Sequence, residues 1–204
     1  MLRKTVHTTA PGTTNNRIDV QHYIIRFICL LLLSPLTLVD GNRPLPNGDS
    51  SLTEKGTGLR KVIYEWIKGG VSRENIVNLY GNIEWWNISG VTNMNYIFKD
   101  RETFNADISA WDTSRVTTMT NIFQSSKAFN QDLSRWKVSK VTNLKMAFSG
   151  AESFNKPLDT WNISNVRSLS WMFAYSYTFN QDISKWVTSK VTDMDSITLL
   201  STYN

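Results

Sequence analysis

One 25-residue pattern is written four times and begun a fifth in the second half of this chain, without a single insertion. Trp86, Trp111, Trp136, Trp161 and Trp186 keep that interval, as do Phe98, Phe123, Phe148 and Phe173, and Phe104, Phe129, Phe154 and Phe179. Behind them run Val91, Val116, Val141, Val166 and Val191, then Met94, Met119, Leu144, Leu169 and Met194, and then Ile108, Leu133, Leu158 and Ile183. Polar columns are as regular: Ser89, Ser114, Ser139, Ser164 and Ser189, and Asn105, Asn130, Asn155 and Asn180. A lone repeat cannot bury so many apolar groups against itself. Stacked repeats that share one continuous core can. Because the period is never broken, every coil is expected to have the same shape, with no protruding loop.

A period of this length predicts an α/β repeat solenoid, a leucine-rich-repeat-like right-handed array of 25-residue coils. Within each coil, V-T-x-M-x-x-x-F places Val91, Met94 and Phe98 at helical spacing, which predicts one or two helical turns. The segment F-N-x-D-I-S-x-W alternates around Asp107, Ile108 and Ser109 and predicts a short strand or extended edge.

The motif W-[ND]-x-S-x-V-T-x-M-x-x-x-F followed by F-N-x-D-[IL]-S-x-W resembles the repeat of the BspA-like leucine-rich-repeat surface proteins, once labelled a Mycoplasma protein family of unknown function. The likeness covers roughly Ile83 to Ile197. It implies an extracellular or surface-attached solenoid with a role in adhesion or binding and no established enzymatic activity. The chain departs from the pattern at Arg167, which stands where Thr92, Thr117, Thr142 and Thr192 set the rule. Pro157 replaces the Asp of Asp107, Asp132 and Asp182, and Thr198 stands where Phe is expected.

Ahead of the repeats, residues 1–41 read as a signal peptide or signal-anchor. Arg3, Lys4, Arg17 and Arg26 precede the apolar run of residues 27–39, which is short for a membrane span. Cleavage is expected after Gly41. The alternative is a single-pass anchor with the solenoid outside, so that contact with a membrane is made only through this segment. Residues 42–56 read as a flexible linker, rich in Gly, Pro, Asn and Ser. Residues 57–82 read as a helical N-terminal cap, and 83–204 as the solenoid of four to five repeats. Leu59, Val62, Ile63, Trp66 and Ile67 form one apolar helix face ended by Gly69 and Gly70. Ser72 is the expected N-cap of a second helix, with Ile76, Leu79 and Tyr80 on one face and Gly81 as its stop.

Composition narrows the chemistry. Cys29, His7 and His22 all lie in the leader, so the remainder has neither residue type. That excludes structural disulfides, Cys or His nucleophiles and nearly every zinc site there, and it leaves the Ser column without a His partner. No cofactor and no metal is expected. The formal charge of +5 leaves +3 for residues 42–204 once the leader's +2 is set aside, too little to imply nucleic acid.

Three columns admit a second reading. The Asn column with Asp107, Asp132 and Asp182 could form a calcium ladder, or an internal ladder whose side chains satisfy backbone groups of the next coil. The Trp column could be a stacking platform for sugars or bases, or core. The repeated carboxylates could serve glycoside hydrolysis, if Asp107 and Asp132 sat on adjacent coils. The ladder, core and non-enzymatic readings are favoured, since uniform coils imply no pocket. No catalytic residue is expected. Around the Trp column the unrepeated positions are basic: Arg115, Arg135, Lys137, Lys140, Lys185 and Lys190. They are the candidate partner-binding residues, for a protein or an anionic glycan at the cell surface, against the plainer reading of a solvated face. Asn87 and Asn162 open Asn-Ile-Ser sequons in one column and are candidate N-glycosylation sites. The sequence thus reads as a non-enzymatic, secreted or surface-displayed protein for binding or adhesion. The alternatives are a purely structural spacer or wall component and a carbohydrate-active enzyme.

Overall fold

The computed structural model of the protein describes residues 58–200. The leader, the linker, Cys29 and both histidines lie outside the described residues.

Two helices open the described chain, α1 (Leu59–Lys68) and α2 (Gly70–Tyr80). Leu59, Val62 and Ile63 on α1 are buried, and Trp66, Ile67, Ile76 and Tyr80 pack against the same core. The helices lie on the first coil: the Trp66 ring meets Trp86 and Phe104 edge-on, with centroids 6.4 Å away in both cases. Two details differ from the sequence reading. Gly69 and Gly70 both adopt positive φ, 77° and 53°, a conformation that Gly reaches without a Cβ penalty. The chain therefore reverses within two residues and α2 begins at Gly70, which places Ser72 inside the helix rather than at its cap. Leu79 is 44% exposed and does not share the buried face of Ile76 and Tyr80.

After a short 3-10 turn at Ile83–Trp85, the repeats stack in register. The V-T-x-M-x-x-x-F segment is not helical. It is a run of consecutive turns in which alternate peptide units point at the next coil. The N–H groups of Met94, Tyr96, Phe98 and Asp100 donate to the carbonyls of Thr118, Thr120, Ile122 and Gln124 at 2.8–3.0 Å. Those same peptide units hand the pattern on, for Met119, Asn121, Phe123 and Ser125 donate to Asn143, Lys145, Ala147 and Ser149. The series repeats twice more, ending on the carbonyls of Asp193, Asp195, Ile197 and Leu199. An α-helix could not do this, because its N–H groups all point along its own axis and bond within it. The backbone breaks out of the helix by entering the left-handed region at two fixed positions per coil: Tyr96, Asn121, Met146, Trp171 and Ser196, and Asp100, Ser125, Gly150, Tyr175 and Leu200.

The predicted extended edge also moves. F-N-x-D-I-S-x-W forms no strand. The contacts of β type are single parallel bridges from Asn93 to Thr118, Asn143, Ser168 and Asp193 in turn. Beside them each Thr ties backward with both its N–H and its hydroxyl: Thr117 to the Thr92 carbonyl (2.8 and 3.1 Å) and Thr142 to the Thr117 carbonyl (2.9 and 3.2 Å). The Thr and Ser columns therefore do not cap helices, since no helix follows them.

Inside the stack the aromatic columns are continuous. Phe98, Phe123, Phe148 and Phe173 lie 5.2–5.7 Å apart between ring centroids, and each also stacks on the second Phe of its own coil. The Trp side chains are buried, and each indole N–H reaches back to a carbonyl of the preceding turn. Trp111 donates to Ile83 at 2.8 Å, and Trp136, Trp161 and Trp186 donate to Ile108, Leu133 and Leu158 at 3.0 Å. A ring that is buried and hydrogen-bonded in this way is core, not a platform for a ligand. The fifth coil has no coil stacked on it among the described residues, so Met194 is 47% exposed where Met94 and Met119 are fully buried.

Trp136→Ala is expected to cost about 3–5 kcal/mol from the lost packing. Trp136→Phe is expected to cost about 1–3 kcal/mol, because it removes the buried indole hydrogen bond to the Ile108 carbonyl, which then keeps only the Trp111 N–H, and leaves the larger ring's space unfilled. Chemical denaturation of both variants checks this; a Phe variant as stable as wild type would contradict the role of the indole N–H. At Gly150, where φ is +69° and an added Cβ would meet only ordinary contacts, Val is expected to destabilise by about 1–2 kcal/mol through backbone strain. Asn at the same position is expected to cost clearly less, measured in the same way.

Candidate functional site: the polar outer face

The outward positions divide into those that tie coils together and those that do not. In the Asn column, the Oδ1 atoms of Asn105, Asn130 and Asn155 accept the backbone N–H of Asn130, Asn155 and Asn180 at 2.9–3.0 Å. Gln131 and Gln181 donate to the same oxygens of Asn105 and Asn155. This is the internal ladder. It runs along the exposed rim of the coils rather than in their interior, so it seals an edge and does not rescue buried groups. The Asn105, Asn130 and Asn155 oxygens that a calcium site would use are already engaged. Among the described residues no group of three His, Cys, Asp or Glu side chains could hold a metal ion.

The acidic column has a local duty. Asp107, Asp132 and Asp182 accept the backbone N–H of Ser109, Ser134 and Ser184 at 2.8–2.9 Å, closing an Asx turn in each coil. Asp112 closes a similar turn on Ser114, and the sequon residues Asn87 and Asn162 do so on Ser89 and Ser164. Asn162 is exposed and Asn87 half-buried. Pro157 offers no such acceptor, so the third coil lacks one of these turns. The Ser109 N–H, then its hydroxyl, hold the Asp107 carboxyl below the usual carboxylate range, and Arg135 adds to this. The Ser114 hydroxyl and N–H do the same to Asp112 with help from Lys137, and Ser184 to Asp182 with help from Lys185.

All six predicted basic residues are exposed, but they fall into two sets. Lys185 pairs with Asp159 at 3.9 Å, and Arg135, Lys137 and Lys185 lie close enough to Asp107, Asp112 and Asp182 to add a small lowering of those carboxyls, Arg135 and Lys137 without forming an ion pair among the described residues. Arg115 and Lys140 make no ion pair among the described residues. Lys190 meets only a neutral acceptor, Oδ1 of Asn165, at 2.6 Å. Stacking brings Arg115, Lys140 and Lys190 into one row, with Asn165 interrupting it in the fourth coil. One cation was missed by the sequence reading. Arg167 is exposed and lies beside that gap; its signal was the broken Thr column.

The description is that of a repeat protein whose coils share one core and one polar ladder. A family model described as "Mycoplasma protein of unknown function" (DUF285) matches residues 71–174 and again residues 110–202. The chain belongs to that family. No curated protein and no solved structure matches it.

The lowered carboxyls set a pH dependence. Each titrates lower in the folded chain than unfolded, so its ionised turn contributes stability that is complete above the unfolded value of about 4 and is lost as pH falls through the lower folded value. Melting temperature is therefore expected to be insensitive to these groups from pH 7 to 5 and to drop below pH 4. Replacing Asp107, Asp112 and Asp182 together by Asn, which keeps the turn acceptor as Asn87 and Asn162 do, is expected to shrink that drop. Thermal melts at pH 3 and pH 7 check it; an unchanged drop would show that other groups set the acid limit.

Proposed function

We propose that this chain is a non-enzymatic binding or adhesion protein, displayed at the cell surface or secreted. In this reading the stack is a right-handed leucine-rich-repeat-like solenoid of the BspA-like kind. Helices α1 and α2 serve as its N-terminal cap, giving the apolar face of the first coil a cover. The observation that carries the function is the division of labour among the outward side chains. The Asn, Asp, Thr and Trp columns are committed to joining coils or closing turns, whereas Arg115 and Lys140 are exposed and join nothing among the described residues, and Lys190, also exposed, bonds only to the neutral Asn165.

A polyanion is the partner such a row favours, because exposed cations stacked along an array attract a linear anion through space as well as by contact. An anionic glycan is our choice over nucleic acid, since the net charge is modest and the Trp column, which could stack on bases, is buried. A glycosidase reading is weakened by the Asp107 and Asp182 carboxyls. A general acid needs a raised pKa, and these are lowered by hydrogen bonds that favour the charged form. In a eukaryotic secretory route the exposed Asn162 is the better glycan acceptor of the two sequons. Among the described residues no helix is long and apolar enough to cross a membrane.

The full chain is expected to be retained on immobilised polygalacturonate, not on neutral dextran, and to elute as salt rises. Lys140→Glu with Lys190→Glu is expected to abolish retention with little change in melting temperature. Elution of this double variant at the wild-type salt would leave the face as solvated surface only and favour the structural-spacer reading. Export is checked separately by N-terminal sequencing of protein recovered from the medium, which is expected to begin near Asn42; an intact chain in the membrane pellet supports the anchor.

A further inference from the structure

Arg167 breaks a rule that the rest of its column keeps. In the other coils a Thr hydroxyl donates to the carbonyl of the preceding coil, from Thr117 to Thr92, Thr142 to Thr117 and Thr192 to Arg167, at 3.1–3.2 Å. Arg167 retains the backbone part of this link, its N–H lying 2.9 Å from the Thr142 carbonyl, and forgoes the hydroxyl part. Its guanidinium makes no hydrogen bond or ion pair among the described residues. A local stabilising element has been given up for an exposed charge, and such departures are expected where function outweighs local consistency.

The position explains the exchange. Asn165 and Arg167 flank Val166, which is fully buried, so both face outward beside each other on the same coil. Asn165 occupies the row of Arg115, Lys140 and Lys190 and carries no charge. Arg167, one step to the side, supplies it. We propose that Arg115, Lys140, Arg167 and Lys190 form a single cationic line, one charge on each of four successive coils, that binds a linear acidic polysaccharide along the stacking direction. This rests on the binding reading above and deepens it by naming the fourth contact and the direction along which the ligand lies.

Several observations fit that ligand. Parallel bridging sets the coils about 5 Å apart, so the line offers one charge per coil. Duplex DNA carries a charge every ~1.7 Å along its axis and asks for a denser match. The line is bordered by the hydroxyl groups of Ser139, Ser164 and Ser189, which suit sugar hydroxyls. The nearby Asp193 carboxylate accepts from the Ser168 hydroxyl at 2.9 Å rather than pairing with a cation of the line.

The test uses the full chain on immobilised polygalacturonate, with Arg167→Thr, Arg167→Lys and the Lys140→Glu, Lys190→Glu double variant. Arg167→Thr is expected to bind about three- to fivefold more weakly, the worth of one exposed ion contact, and to elute at lower salt. Its melting temperature is expected to equal or exceed that of wild type, because the column's hydroxyl bond returns. Arg167→Lys is expected to keep most of the retention. If Arg167→Thr elutes with wild type while the double variant is lost, Arg167 has no part in the line and only the broader basic-face reading survives. If wild type itself is not retained, both readings fall. Retention on single-stranded DNA but not on polygalacturonate overturns the ligand class.

Discussion

The structure depends on one interaction: a peptide hydrogen bond that runs from each coil to the next at a constant offset of 24 residues, as from Met94 to Thr118. Every second peptide unit of the turn segment takes part, accepting from the coil before and donating to the coil after. Four such peptide columns cross the stack side by side. Their dipoles are parallel and add along the columns, as they do along a helix, and hydrogen bonds in chains polarise one another favourably. This is why the period tolerates no insertion. One extra residue at the start of the turn segment would put carbonyls where donors are needed in all four columns at once.

The side chains serve that geometry. Stacked Phe pairs fill the interior at the spacing the peptide columns impose, and the Trp indoles occupy the core edge, each pinned to the coil behind by its N–H. Asn and Thr side chains close the outer edges with bonds of the same register. Left-handed residues such as Asn121 and Ser125 carry a conformational cost that a helix would avoid. It persists because the alternative leaves four N–H groups per coil without partners in the stack.

The core was legible in the sequence because stacking demands the same side chain at the same place in each coil; the Phe, Val and Trp columns, the Asn ladder and the buried face of α1 follow directly. The conformation of the turn segment was not legible. Val91, Met94 and Phe98 have a spacing that suits a helix, but a chain of turns turns the same residues inward. The residues that break the helix are Tyr96, Asn121, Met146 and Trp171, which carry no glycine signature of positive φ. Ser72 misled for a related reason: a strong capping residue lay two positions beyond a Gly pair able to reverse the chain by itself. On the outer face, the candidate basic positions were legible as a group, whereas their division was not. Which of them lie near carboxylates depends on how stacking juxtaposes charges, as with Arg135 and Asp107, which are 28 residues apart in sequence. Arg167 stood in plain view as a departure, but its value shows only once Val166 is seen to place it beside Asn165.

Native-state hydrogen exchange, resolved residue by residue, tests the peptide columns most directly. The amides of Met119, Asn121, Phe123 and Ser125 are expected to exchange only through large-scale unfolding, since each bonds to the next coil. Those of Arg135 and Lys140, which have no bonded partner among the described residues, and of Met194 and Ser196, in the coil that has none stacked on it among those residues, are expected to exchange quickly. If Met119, Asn121, Phe123 and Ser125 exchange as fast as Lys140, the coils are not joined through their peptide units and the account fails.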